Sequence, residues 1–514
     1  MFRAMRRPAA LVALIATALV LGLTGLARAD TPAIPIPPDP RDALLNAFTG
    51  APATPRPYPA QHVPQNPYMA PNQASNIHDD AYQTDAYNRR GPLGRHLKVT
   101  TTLYVGLCGS VTFDRRGRIV TVCVTATSVT LKLLRPSTLA TIASFDLPPR
   151  KAGSLSFTDF SGGGYFYLDN RNEAVVSTST GHLMTIRISG DTLTKVRDVD
   201  LSRATAGSGI QSALPDWAGR IWFVTQGGTV GMITRGGAIR WIRLRGEQIA
   251  NSFAMDESGG VFVASTRAMY RFDARHGHPT ITWRRAYDHG TRDKPGQVSQ
   301  GTGTTPTLIG SASSPGGGWV AITDNADPRM HVLLWHRGRS GPGPTRCNQP
   351  IFPAGHGSDE NSLVSVPGGL IAENNYGYTG PLTNTVLRIP DTVPGVERVR
   401  VDYRTGRCST AWVNRTARVP TVVSKASLAT GLLYTYTHPS SAELPWKATP
   451  LADALSPDSW FFTALDLRTG RRVYAQLVGS GLAFNNNYAP VTLGPDGAAY
   501  VGTLGGLVRI ADTP

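Results

Sequence analysis

The chain has 514 residues, 41% hydrophobic and 17% charged, with 54 Gly and 39 Pro. That much apolar material excludes wholesale disorder, and so many turn formers exclude a helical bundle in favour of many short strands. The net charge of +16 becomes 47 cations against 35 anions once Arg3, Arg6, Arg7 and Arg28 are set aside; the scattered Arg residues lack basic–aromatic runs, which argues against nucleic acid and leaves solubility or attraction to an anionic cell-wall polymer.

Residues 1–29 carry a basic start, an apolar stretch from Ala9 to Leu26 and a small-x-small ending at Ala27-Arg28-Ala29. This is the layout of a signal peptide for the general secretory route, with an uncleaved anchor as the alternative. No later stretch is apolar enough to cross a bilayer, so the expected location is secreted, extracellular or at the cell envelope. Residues 30–95 form the next unit. Twelve prolines fall within 32–71, the composition of an extended arm or wall-spanning spacer. His78, in Asn76-Ile-His78-Asp79-Asp80, lies where this arm meets the globular part and is placed to plug a channel.

Cys108 and Cys123 are equidistant from a hairpin centred between Arg115 and Arg116, which predicts a cross-strand disulfide. Cys347 and Cys408 then pair by default, as export allows. Thiolate metal binding would need close-spaced Cys or Cys/His pairs, and none exists.

From residue 96 onward the sequence repeats one phrase: a short apolar strand, Asp, a few turn residues often ending in Gly, and a second apolar strand. Copies centre on Asp114, Asp169, Asp216, Asp256 and Asp496, with weaker ones beginning at Ser314, Ser365 and Ser427. Asp and Gly supply the local hydrogen bond and the positive φ that tight hairpins need. Repeats of 40 to 60 residues built from such hairpins predict an all-β, eight-bladed β-propeller over 96–514, seven blades being the alternative. The spare strand at 97–105 is available to complete the last blade and close the ring.

Ala464-Leu-Asp466-Leu-Arg-Thr469-Gly470-Arg-Arg-Val-Tyr474, with a partial copy at Val401-Asp402-Tyr-Arg-Thr405-Gly406, resembles the outer-strand docking motif of the quinoprotein-like propeller superfamily. The resemblance implies the propeller skeleton. Superfamily enzymes that use pyrroloquinoline quinone commonly stack it on a disulfide between adjacent cysteines. This chain has no adjacent cysteines and departs from the family there, so a quinone-dependent dehydrogenase is only a minor alternative. Other members are scaffolds without a cofactor.

In a propeller the residues leading into the innermost strands ring the channel mouth. Here they are Gln211, Asn251, Thr304, Thr305, Glu360, Asn361, Lys425, Asn485, Asn486 and Asn487, and all are polar. Glu360 and Glu373 flank one predicted hairpin and suit a general acid and base. Asp324, Asp327, Glu360 and Glu373 are hard oxygen donors suited to calcium or magnesium. Gln211, Asn251, Asn361, Asn374, Asn375, Lys425, Asn486 and Asn487 are the expected contacts for a small polar ligand. Lys425 either neutralises Glu360 or a substrate carboxylate, or is an exposed loop lysine.

Two functions follow. One is an extracellular enzyme acting on a polar, sugar-like or lactone substrate; the other is a non-catalytic binding scaffold in which the Asn and Asp phrases are only turns. No His-x-x-x-His, Gly-x-Ser-x-Gly or phosphate-gripping loop is present.

Overall fold

The computed structural model describes residues 30–125, 127–150, 161–313, 317–381, 392–445 and 458–514; the leader read at 1–29 lies outside them. The fold is an all-β, eight-bladed propeller. The innermost strands are Leu107–Phe113, Tyr167–Leu168, Ile210–Pro215, Ala254–Met255, Thr307–Ile309, Val364–Val366, Lys425–Ser427 and Val491–Leu493, defining blades 1 to 8 in that order. Each blade is an antiparallel sheet whose later strands step outward. The outer strand of blade 8 is Lys98–Leu103, paired with Gly506–Ala511 from Thr102↔Leu507 to Lys98↔Ala511, so the two ends of the propeller sequence close the ring. All three weaker repeats are blades, which excludes the seven-bladed alternative.

The Asp of each strong repeat folds its hairpin as its chemistry dictates. Asp114 Oδ1 accepts the N–H groups of Arg116 and Arg118 at 2.9 Å each. Asp169, Asp216 and Asp256 accept from the residues two and four positions on in the same way. These turns lie on one face of the ring, the hairpin face. The inner strands begin at the opposite end, the leading mouth.

Apolar side chains fill the spaces between blades, as where Trp222, Val230 and Met232 pack against Val261 and Val263. The Thr-Gly motifs add directed contacts. Gly470 takes φ +70°, and a Cβ there would stand 2.4 Å from the Trp412 ring of blade 6. Trp412 Nε1 donates to the Leu467 carbonyl at 3.0 Å, and Asn414 Nδ2 to that of Gly470. Trp319 of blade 5 packs on Gly406 in the same manner and donates to the Tyr403 carbonyl.

Both disulfides form as expected. The first depends on a feature absent from the symmetric hairpin argument. The turn is centred on Arg116, as Phe113↔Ile119 pairing requires, which alone would set Cys108 opposite Val124. A bulge between Leu107 and Ser110 shifts the register by one and restores Cys108 to Cys123. The second joins the outer strands Cys347–Ile351 and Cys408–Asn414 of adjacent blades 5 and 6. Closing a 61-residue separation, it is worth about 4 kcal/mol in the chain-entropy account. The double Cys347→Ala, Cys408→Ala variant should lose about that much in urea unfolding; an unchanged midpoint would show that the blade interface alone holds these strands.

The Pro-rich arm is extended, but it is bound to the propeller along its course rather than free as a spacer. Thr31 bridges Thr141 on blade 1, and Phe48–Gly50 adds a strand to the outer edge of blade 7. The arm then turns inward and coils around the axis. The carbonyls of Ser75, Ala81, Tyr82, Thr84, Asp85 and Tyr87 accept from Leu168, Met255, Leu308, Ser365, Ala426 and Leu428. Blades 2, 4, 5, 6 and 7 are thus engaged in order. Ala86–Tyr87 completes the coil by pairing parallel to Lys425–Ser427.

Candidate functional site

The arm fills the channel from the hairpin face and leaves a small chamber at the leading mouth. About 50 Å³ of it is open to the centre of a water-sized sphere, room for a few waters or the polar end of a solute. Ile77 and His78 form its floor, and Tyr165, Asn251, Glu360, Ser362 and Tyr488 belong to its wall. These wall residues come from blade-to-blade connections and inner-strand starts, so the ring converges groups that are distant in sequence.

The floor is an ionic cluster. His78 Nδ1 lies 3.0 Å from Asp85 Oδ1. Lys425 Nζ donates to Asp85, and to the Ile77 carbonyl at 2.5 Å, and stands 3.5 Å from Asp79 Oδ2. Lys425, Asp79 and Asp85 are fully buried. Burial alone would raise the Asp85 pKa, but the attraction of His78 and then of Lys425 outweighs it, so Asp85 is held ionised. Burial opposes the Lys425 charge in turn, and Asp79 and Asp85 restore it. Lys425 is therefore neither an exposed loop lysine nor the partner of Glu360: it clasps the arm.

Glu360 keeps a little surface at the chamber, and its Oε1 is buried without a hydrogen-bond partner. Burial pushes its pKa to about 8, so the carboxyl is protonated at neutral pH. Glu373, at the end of Gly369–Glu373, is also raised to about 8 by burial; its Oε2 accepts from Asn361 Nδ2 at 3.0 Å. Asn361 thus sits against Glu373 and behind the wall. Across the chamber, Tyr165 donates to Asn251 Oδ1 at 3.1 Å and stacks near His78 with centroids 6.1 Å apart.

The four carboxylates expected to share a cation do not converge on one point. Among the described residues no three His, Cys, Asp or Glu side chains converge as metal ligands. Asp324 is taken by His331, whose Nδ1 is 2.8 Å from Oδ2, and Asp327 lies 3.5 Å from Lys294. Glu373 faces Asn361, leaving Glu360 alone of the four at the chamber. Ion pairing holds Asp324 and Asp327 locally, and Glu373 is hydrogen-bonded to Asn361.

Most of the predicted ligand amides hold the blades together instead. Asn374 Oδ1 accepts from Ser358 and Tyr376, and Asn375 Oδ1 accepts from Glu360 N at 2.7 Å. Asn486 Oδ1 accepts from Thr421, and Asn487 Oδ1 from Tyr378 at 3.1 Å. Gln211 donates to the Ala250 carbonyl. Of the predicted ligand set, Asn251 and Asn487 line the chamber. Asp85, Tyr165, Ser362 and Tyr488 were not singled out as site residues. Tyr165 opens the second repeat phrase, and the acidic run after His78 is conspicuous in an otherwise uncharged stretch, so both left a signal.

No family model matches the chain. An uncharacterized protein of Archaeoglobus fulgidus is 24% identical over 376 residues, 68% of each chain. Among solved structures, a streptogramin B lyase covers 81% of this chain and 97% of its own at 11% identity and a TM-score of 0.41. Sqt1 of Chaetomium thermophilum, bound to the N-terminus of ribosomal protein L10, covers 87% and 98% at 11% identity and a TM-score of 0.45. The blade count and closure rest on this chain's own strand pairing.

Proposed function

We propose that this is an exported propeller that binds a small polar solute, or the polar end of a larger one, in the axial chamber. The observation that carries the reading is Glu360: a protonated carboxyl with one oxygen unpartnered, set beside Asn251, Tyr165 and His78 in a small chamber. Such a group donates one hydrogen bond and accepts another, which suits hydroxyl, carbonyl and carboxylate ligands. Export is supported by the leader-like start and by two disulfides, which persist in oxidising compartments.

Gly109 provides the test. It lines the chamber, and a Cβ there would meet only Leu107 atoms at 3.7 and 3.8 Å, so Gly109→Leu should fill the space without strain. Thermal unfolding is measured with γ-butyrolactone, glycolate and glycerol at saturating concentration. At least one should raise the wild-type midpoint by about 2 °C or more, and Gly109→Leu should remove the rise. No shift with any of the three, or an equal shift in the variant, would place binding outside the chamber.

A further inference from the structure

The chamber floor and wall bring together three side chains that no local motif announces. Ser362 Oγ lies 3.5 Å from His78 Nε2, and His78 Nδ1 lies 3.0 Å from Asp85. Ser362 and His78 both line the chamber, whereas Asp85 is buried behind His78. We propose that Ser362, His78 and Asp85 form a nucleophile, base and orienting acid that open small carboxylic esters or lactones whose acyl end occupies the chamber. The proposal rests on the chamber being the ligand site and assigns that site a reaction class.

The roles follow from the bonding. Asp85 is an ionised acceptor, so Nδ1 carries the imidazole proton and the Nε2 lone pair faces Ser362. Lys425 donates to the same Asp85 carboxylate, and Nε2 of His78 is left facing the chamber wall. A Ser–His separation of 3.5 Å is looser than a reacting pair requires and tightens on substrate binding in sites of this type. Thr305 Oγ1 is nearer Nε2, at 3.4 Å, but is fully buried and off the chamber wall, so it has no approach to an acyl carbon. The constellation is recognised by geometry, with His78 and Asp85 from the arm and Ser362 from blade 6.

In the forward half-reaction the Ser362 Oγ–carbon bond forms as His78 Nε2 takes the hydroxyl proton. The tetrahedral centre then collapses, the ester C–O bond breaks, and His78 returns the proton to the leaving alkoxide. Water repeats the sequence, its proton passing through His78 back to Ser362 Oγ, and the carboxylic acid is released. The protonated Glu360 carboxyl, on the same wall, is a donor available to the developing oxyanion.

The experiment follows p-nitrophenyl acetate turnover by the full chain, with peptide mass mapping of acetylated residues after a rapid acid quench. Acetyl should appear on Ser362, and Ser362→Ala should lower kcat by ~100-fold or more. Asp85→Asn, if its thermal midpoint shows it folded, should lower kcat with KM unchanged, as expected of a positioning residue. Acetyl on Thr305 or on surface side chains, or wild-type turnover by Ser362→Ala, would overturn the triad. If γ-butyrolactone, glycolate or glycerol binding is lost in Gly109→Leu while Ser362→Ala turns over normally, only the triad falls and the chamber stands.

Discussion

Lys425→Met is expected to cost about 3–5 kcal/mol and to free the arm from the channel. The ammonium is fully buried between Asp85 and Asp79. Removing it takes the ammonium from Asp79 and leaves Asp85 with His78 alone, both carboxylates being buried, and leaving a buried charge without its partner is what makes such deletions severe. The methionine stem keeps the packing volume, so the loss is electrostatic rather than a cavity. The strands of each blade pair with one another; the arm adds strands at Phe48–Gly50 and Ala86–Tyr87 to blade 7 and single bridges from Thr31, Met69 and Asn76 to blades 1 and 2. Limited proteolysis should therefore cleave between residues 30 and 95 in the variant well before the ring is attacked, while wild type resists. Equal protease resistance in both would mean that the main-chain hydrogen bonds of the coil hold the arm without the clasp.

The second large effect is a decline of stability as pH rises from about 4.5 to 8. Glu360 and Glu373 are each raised to about 8 and Asp80 to about 7, with burial the leading cause in all three. Their folded forms bind protons more tightly than the unfolded chain does. The stability they contribute is complete below the ordinary carboxyl range and is lost as pH climbs to the folded-state values. Each tenfold gain in proton affinity is worth about 1.4 kcal/mol, so the two glutamates together withdraw several kcal/mol over this range. Asp85 and Asp273 act oppositely: lowered by their partners, they add stability above the ordinary aspartate range and lose it in stronger acid. Thermal midpoints should thus peak near pH 5. The Glu360→Gln, Glu373→Gln double variant, neutral at every pH, should flatten most of the decline and be more stable than wild type at pH 8. A wild-type midpoint that rises between pH 5 and 8 would contradict the buried protonated state of both groups.

Much of the ring was legible because its grammar is local. An Asp whose oxygen takes two N–H groups, two and four residues on, can be seen in a single line of sequence, and so can the unpaired strand that became Lys98–Leu103. The bulge at Leu107–Ser110 was not legible, since a one-residue slip leaves the apolar pattern nearly unchanged. The docked arm was hidden for another reason. It binds through carbonyl groups, which every residue carries, and proline composition says nothing about which N–H groups will meet them. At the site, Glu360 was visible as a carboxylate entering an inner strand. The amides beside it read as ligand contacts because an Asn joining two loops, such as Asn375, and an Asn awaiting a ligand have the same letter. Lys425 showed only its charge, because its partners Asp79 and Asp85 lie some 340 positions earlier.

That long separation bears on how the molecule is made. Residues 75–87 are synthesised before every inner strand they dock on, yet their docking positions, from Leu168 to Leu428, are complete only after six blades and the inner strand of the seventh have been made. The coil therefore cannot complete its docking until blade 7 has begun to form. The plug and the toroid are thus finished together, the coil closing on the axis as the later blades take their places around it.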